Sequence, residues 1–247
     1  MFEIKIDNAK YWKSCVDSIV NLIDEGSFKI TKEGISLSAM DPSGISMLIF
    51  SIPNKAFSKY DVEKDTVVGL NIDNFAKMLS SARSDEQLVM KENNNKLTIE
   101  FIGPNGKRRY KLPLIDTRKE GDKAPKVEFE SVVEMKSDAF KEILKDASLL
   151  SNYIGFKADK NSFSVSAKGD VGELEEEHLG STDIVKRLDI TKPSSATFNL
   201  EYLERIVSGC PSESPLILSL KTDEPIKVDY NIGDASFSYY LAPYMES

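Results

Sequence analysis

The feature that most constrains the fold of this 247-residue sequence is that it repeats itself at a single offset. Aligning 27–40 with 155–168 pairs Phe28 with Phe156, Lys29 with Lys157, Lys32 with Lys160, Ser36 with Ser164, Ser38 with Ser166 and Ala39 with Ala167, all 128 apart. The same offset carries Trp12-Lys13 onto Phe140-Lys141, Asn71-Ile72 onto Asn199-Leu200, and Leu88-Val89-Met90 onto Leu216-Ile217-Leu218. One later insertion makes the offset 129, pairing Leu97, Ile99 and Phe101 with Ile226, Val228 and Tyr230, and Tyr110 and Leu112 with Tyr239 and Leu241. A register held over this length dictates two copies of one unit. We place them at 1–115 and 128–247. The connector is 116–127, whose run Asp116 to Lys126 is charged and punctuated by Gly121 and Pro125.

Each copy reads as a mixed α+β unit. A strand over Phe2–Ile6 precedes an amphipathic helix from about Ala9 to Ile23, with Trp12, Cys15, Val16, Ile19 and Ile23 on one face. Period-two alternation at Phe28, Ile30, Ile35, Leu37 and Ala39 predicts strands, as do 45–50 and 66–70. A second helix starts at a capping Asn71 and buries Ile72, Phe75, Ala76 and Leu79. Asn93-Asn94-Asn95 and Pro104-Asn105-Gly106 mark hairpin turns, the Asn-Gly pair suiting a two-residue turn. The second copy places helices near 137–150 and 199–208, giving four helices over extensive antiparallel sheet.

Composition narrows the function. Forty per cent hydrophobic and 29% charged residues are an ordinary globular composition. The net charge of −8 argues against a uniformly basic nucleic-acid coat, so any DNA contact is a local patch. Cys15 and Cys210 form no CxxC pair, which suits a reducing compartment. No apolar run approaches a membrane span and the first residues lack a signal-peptide core, so the expectation is a cytoplasmic protein with no membrane partner. The single histidine, His178, sits in an acidic run and is expected on the solvated surface. One imidazole cannot supply a Ser/His/Asp triad or paired zinc ligands. There is also no GxxxxGK[ST] loop and no GxGxxG opening a helix. Asp41 and Asp116 leave a carboxylate metal enzyme as a different class, without neighbouring ligands at a recognisable spacing. The expectation is therefore no catalytic residue, no metal and no cofactor; a purely structural assembly is a third class.

Two charge patterns remain. The outward helix faces carry Lys10, Lys13, Ser14, Asp17 and Asn21 on the first helix, and Asn74, Lys77, Ser80 and Ser81 on the second, with Arg83 just beyond. Lys141 and Lys145 lie on the third, and Arg205 with Glu201 and Glu204 on the fourth. These are either solvated surfaces or, if the repeat continues around a circle, the lining of one concave side. Lys107-Arg108-Arg109-Tyr110-Lys111 is a basic strand of the first copy, and Glu173-Leu174-Glu175-Glu176-Glu177 an acidic strand of the second. They are either unrelated surface runs or complementary edges that join chains head to tail, a heterologous contact that closes into a ring. Exposed ion pairs contribute only about 0–1 kcal/mol each, so such charges would chiefly set register.

Met1-Phe2-Glu3-Ile4, Ser38-Ala39-Met40-Asp41-Pro42-Ser43-Gly44-Ile45, Pro113-Leu114-Ile115-Asp116 and Tyr239-Tyr240-Leu241-Ala242-Pro243 together resemble the proliferating cell nuclear antigen family of sliding DNA clamps, most of all its archaeal members. The resemblance covers essentially the whole chain. It implies a homotrimeric ring of pseudo-repeated clamp domains, sheets outside and helices inside, encircling duplex DNA and raising polymerase processivity; a subunit of a heterotrimeric clamp is the alternative. Its implied partners are duplex DNA, further copies of the chain, a clamp loader, and polymerase and other replication or repair proteins carrying a docking peptide. The resemblance implies DNA-facing roles for Lys13, Lys77 and Lys145, to which the helix faces add Lys10, Arg83, Lys141 and Arg205. Val20, Ser80, Glu201 and Ser208 stand where eukaryotic relatives carry basic residues, implying a small contribution from the fourth helix. The implied peptide pocket comprises Met40, Gly44, Ile45, Met47, Ala124, Pro125, Pro225, Tyr240, Leu241, Ala242 and Pro243. Adaptable methionines and a Pro/Tyr rim suit a site accepting several sequences.

Overall fold

The computed structural model describes residues 1–116 and 123–245, so the central part of the connector, 117–122, lies outside the described residues. Two compact units are present. The first comprises Met1–Ser43, Leu48–Lys123 and Ile232–Phe237, and the second Gly44–Met47, Ala124–Asn231 and Ser238–Ser247. The units are thus not separated by a single cut at the connector, because a short piece of each half counts with the other.

In chain order the first half contains β1 (Phe2–Ile6), α1 (Ala9–Val20), β2 (Glu25–Ile30), β3 (Gly34–Met40), β4 (Ser46–Pro53), β5 (Lys59–Val62), β6 (Thr66–Asn71), α2 (Ile72–Leu79), β7 (Gln87–Asn93), β8 (Lys96–Gly103) and β9 (Gly106–Pro113). The second contains β10 (Ser131–Lys136), α3 (Ser137–Ser148), β11 (Tyr153–Ala158), β12 (Ser162–Gly169), β13 (Gly172–Leu179), β14 (Val185–Ile190), β15 (Ser194–Asn199), α4 (Leu200–Ser208), β16 (Pro215–Leu220), β17 (Ile226–Ile232) and β18 (Ala235–Leu241). The repeat is visible in these bounds: α1 and α3 begin and end 128 residues apart, as do β6 and β15.

Hydrogen-bonded strand order is β5-β1-β7-β8-β9 in one sheet, and β4-β3-β2-β6 in another run of the first half. The second half repeats this with β14-β10-β16-β17-β18 and β13-β12-β11-β15. The β7–β8 turn places Asn94 and Asn95 at φ 50° and 58°, the left-handed pair that a tight hairpin needs. In the β8–β9 hairpin the loop residues are Pro104 and Asn105, because Gly106 already pairs with Gly103. The expected Asn-Gly turn is therefore shifted by one residue.

The helices form where sequence chemistry starts them. Asn8 Oδ1 accepts from the backbone N–H groups of Lys10 and Tyr11 at 3.0 and 3.3 Å, Asn71 Oδ1 from Asn74 at 2.8 Å, and Asn199 Oδ1 from Tyr202 at 3.3 Å. Such caps contribute about 1 kcal/mol each by satisfying otherwise orphaned donors. In the first unit Trp12, Cys15, Val16 and Ile19 of α1, and Ile72, Phe75 and Leu79 of α2, are buried. The Trp12 ring meets Phe50 edge-on at 6.3 Å, and Phe28 meets Phe75 at the same separation. In the second, Phe156 stands 5.7 Å from Phe140 and 5.8 Å from Phe198. Each large apolar side chain so buried contributes about 1.5–3 kcal/mol. With the apolar stripe of every helix committed to its own sheet, the polar stripe is left outward.

Candidate nucleic-acid and partner interfaces

Those outward stripes hold the expected cations, but not in equivalent states. On α1, Lys13 forms an ion pair with Asp17 one turn on; on α2, Lys77 Nζ lies 2.5 Å from Asp73 Oδ2 one turn back. On α3, Lys141 Nζ donates to the carbonyl oxygen of Cys210 at 2.6 Å, at the end of α4, and Arg205 of α4 lies 5.6 Å from the centroid of the Tyr202 ring. Lys10, Arg83 and Lys145 are exposed and belong to no ion pair among the described residues. Burial, then the charge of Glu201, raises the pKa of Glu204, which also lies on α4.

The basic and acidic runs both lie on sheet edges. β9 ends one five-stranded order and β13 ends its four-stranded order. Both strands leave two-residue hairpins flanked by Gly103–Gly106 and Gly169–Gly172. In such a hairpin the flanking pair exchanges its hydrogen bonds, so positions 107, 109 and 111 of β9, and 173, 175 and 177 of β13, turn backbone N–H and C=O to the open side.

Side-chain charge on these edges is thinner than the sequence suggests. Arg108 reaches Glu86 at 2.6 Å and the Ser81 carbonyl at 2.9 Å, with its guanidinium 5.0 Å from the Phe101 ring centroid. Arg109 is paired with Glu100 at 2.5 Å. Lys168 pairs with Glu173 at 2.5 Å, and that hydrogen bond raises the lysine pKa. The expectation that the whole runs face a partner is corrected accordingly: Lys107 and Lys111, and Glu175 and Glu177, are the charges of these runs that form no ion pair among the described residues. His178 is also corrected. It is buried, with Nε2 3.1 Å from Glu176 Oε1, because β13 alternates and its inward set is Leu174, Glu176 and His178. Beside β13, Leu149 and Val171 are exposed, and Tyr110 of β9 is half-buried with its hydroxyl 3.4 Å from Ser81 Oγ.

The expected peptide-pocket residues separate by burial. Asp41 accepts from the backbone N–H of Ser43 at 3.0 Å, closing a turn before Gly44, whose φ of +75° favours glycine. In the second unit, Ile45 is 39% exposed and its carbonyl oxygen accepts from Ala242 N–H at 2.9 Å, while Tyr244 stacks on Tyr153 at 3.9 Å and donates its N–H to Thr197 O at 2.7 Å. Ala124 is exposed, and Pro125, Pro225, Tyr240, Ala242 and Pro243 are half-buried. Met47 and Leu241, by contrast, are core residues, so Ile45 and the half-buried tail positions carry the accessible surface there. Met40 is exposed on the first unit.

Among the described residues no group of three or more His, Cys, Asp or Glu is placed to hold a metal ion, and no helix is long and apolar enough to cross a membrane. Residues 1–120 match the family described as proliferating cell nuclear antigen, N-terminal domain, and 123–245 its C-terminal domain. A DNA polymerase sliding clamp of Thermococcus gammatolerans is 34% identical over 247 residues, covering 99% of both chains. That of Thermofilum pendens is 32% identical over the full length of each. Among solved structures, PCNA from Thermococcus kodakaraensis superimposes with a TM-score of 0.94 at 27% identity, covering 99% of this chain and all of that one. A. fulgidus PCNA, with the C-terminal region of FEN-1 bound, superimposes with a TM-score of 0.91 at 24% identity over both whole chains.

Proposed function

This chain belongs to the proliferating cell nuclear antigen family, and from that membership we propose that it is a non-enzymatic DNA sliding clamp, a ring of three identical copies that encircles duplex DNA and keeps a polymerase at work. The observation that carries the ring is topological. β9 and β13, the strands that carry the basic and the acidic run, are both left as sheet edges. A contact of β9 with the β13 of another copy would satisfy both edges. Being heterologous, it propagates until it closes.

The proposed domain roles follow the repeat: 1–115 and 128–247 are clamp domains and 116–127 links them. The helices would line the hole, where phosphate contacts are independent of sequence and weakened by salt. Threading, rather than tight contact, would then supply the retention. A closed ring admits circular DNA only when opened, which calls for a clamp loader. The surface carrying Ile45, Tyr240, Ala242 and Pro243 is our proposed dock for short peptides of replication and repair proteins, a reading supported by the FEN-1 segment bound to the A. fulgidus relative. Such a protein would work in the cytoplasm, at the nucleoid. Molar mass in solution tests the ring: the purified chain alone is expected at three times 27.6 kDa, and a stable monomer at micromolar concentration would contradict it.

A further inference from the structure

The geometry points to Asp17 and Asp73 as built-in counter-ions that weaken the clamp's hold on DNA, so that Lys13 and Lys77 grip less than the unpaired Lys145. This rests on the reading that duplex DNA passes beside the helices. Lys13 and Lys77 are the cations that reading puts against phosphate, yet each already has a carboxylate of its own helix at salt-bridge distance. Pairs one turn apart are held close by helix geometry and contribute about 0.2–0.5 kcal/mol to the helix. Their larger consequence lies outside the helix. A lysine paired with a carboxylate must leave that partner before it displaces a condensed counter-ion from DNA, and the carboxylate then stands near phosphate, so its share of the binding free energy is reduced.

The repeat sharpens the contrast. At the positions equivalent to Asp73 and Lys77, α4 has Glu201 and Arg205, again an acid one turn before a base. At the position equivalent to Asp17, α3 has Lys145 instead, so one aspartate in the first copy stands where the second has a cation. Asp138 and Glu142 precede Lys141 and Lys145 by three residues, but neither pairs with them; Lys141 is engaged by the Cys210 carbonyl and Lys145 is in no ion pair among the described residues. Three helices therefore carry a base with an acid one turn away in register, and, Lys141 aside, the cations without such a partner are Lys145 of α3, Lys10 at the start of α1 and Arg83 beyond α2. A grip carried by so few free cations leaves the ring able to move along the duplex.

The test is binding of a short linear duplex, which can thread the ring from its ends, followed by fluorescence anisotropy over a series of KCl concentrations. Asp17→Asn and Asp73→Asn keep the side-chain shape and an acceptor while removing the charge. Combined, they are expected to tighten binding severalfold and steepen the slope of log K against log salt by up to about 0.9 for each cation freed. Asp61→Asn, on β5, changes the net charge by as much as either single substitution does and is expected to leave the slope unchanged. In the native background Lys145→Ala is expected to weaken binding more than Lys77→Ala, and Lys77→Ala to regain its effect once Asp73 is Asn. The proposal is overturned if the Asp17 and Asp73 variants bind as the native protein does, or if Lys77→Ala weakens native binding as much as Lys145→Ala. If no variant, Lys145→Ala included, alters a salt-dependent binding, the DNA reading beneath it fails and the proposal with it.

Discussion

Replacing Glu175 by proline is expected to convert the proposed trimer into single chains at micromolar concentration while each chain stays folded. Glu175 belongs to the alternate set of β13 residues whose backbone faces the open edge, so its N–H is not used by the ladder to β12. Proline removes that donor and leaves the facing carbonyl of the next subunit without a partner, at a cost of about 1–3 kcal/mol, to which the ring adds steric conflict. A loss of about 2.8 kcal/mol at each joint raises its dissociation constant roughly a hundredfold. Glu175→Ala keeps the donor and is expected to remain trimeric. Light scattering reads both, and far-ultraviolet circular dichroism verifies that the proline variant is folded. A proline variant that stays trimeric would remove β13 from the joint.

The second large effect is on stability. Gly169 ends β12 where the chain passes directly against the carbonyl oxygen of Leu150, just beyond α3, and a Cβ there would overlap that oxygen. Backbone has no rotamer with which to yield. Gly169→Ala is therefore expected to cost about 3 kcal/mol, the upper end for overpacking. Three residues on, a Cβ at Gly172 would meet only Leu150 Cδ2 at 3.5 Å, an ordinary contact. Gly172→Ala is expected to stay within about 0.5 kcal/mol of the native protein. Chemical denaturation of the two variants gives the comparison, and equal midpoints would mean that the approach to Leu150 is not rigid. Because Leu149 and Val171 flank the same hairpin, Gly169→Ala is also expected to loosen the joint.

Local patterns were legible in the sequence and distant pairings were not. The capping residue Asn71 and the apolar stripes of α1 and α2 are written in spacings of a few residues; the structure has them, save that Ala76 is only half-buried, and Asn199 caps α4 as Asn71 caps α2. The first helix ends at Val20 rather than Ile23, since Asn21 caps it and Leu22 and Ile23 are buried beyond its end. His178 was misplaced because acids stand on both faces of β13, which hides the period-two signal that marks an inward residue. Arg108 and Arg109 looked free because their partners, Glu86 and Glu100, become neighbours only through the β8–β9 hairpin and the turn before β7. Lys141 is bound to a carbonyl 69 residues away, which no spacing rule reports. At the peptide surface, the resemblance implies a pocket that includes Met47 and Leu241, whereas alternation along β18 turns Leu241 inward and Met47 is buried although it lies on the face of β4 opposite Leu48 and Phe50.

The central claim, that the protein is held on DNA by enclosing it, is tested most directly by cutting the DNA. Protein loaded on a closed circular duplex and washed at high salt is expected to remain bound, and to be released when a single restriction cut makes that circle linear. Retention that survives linearisation, or that never exceeds retention on a linear duplex of the same sequence, would contradict it.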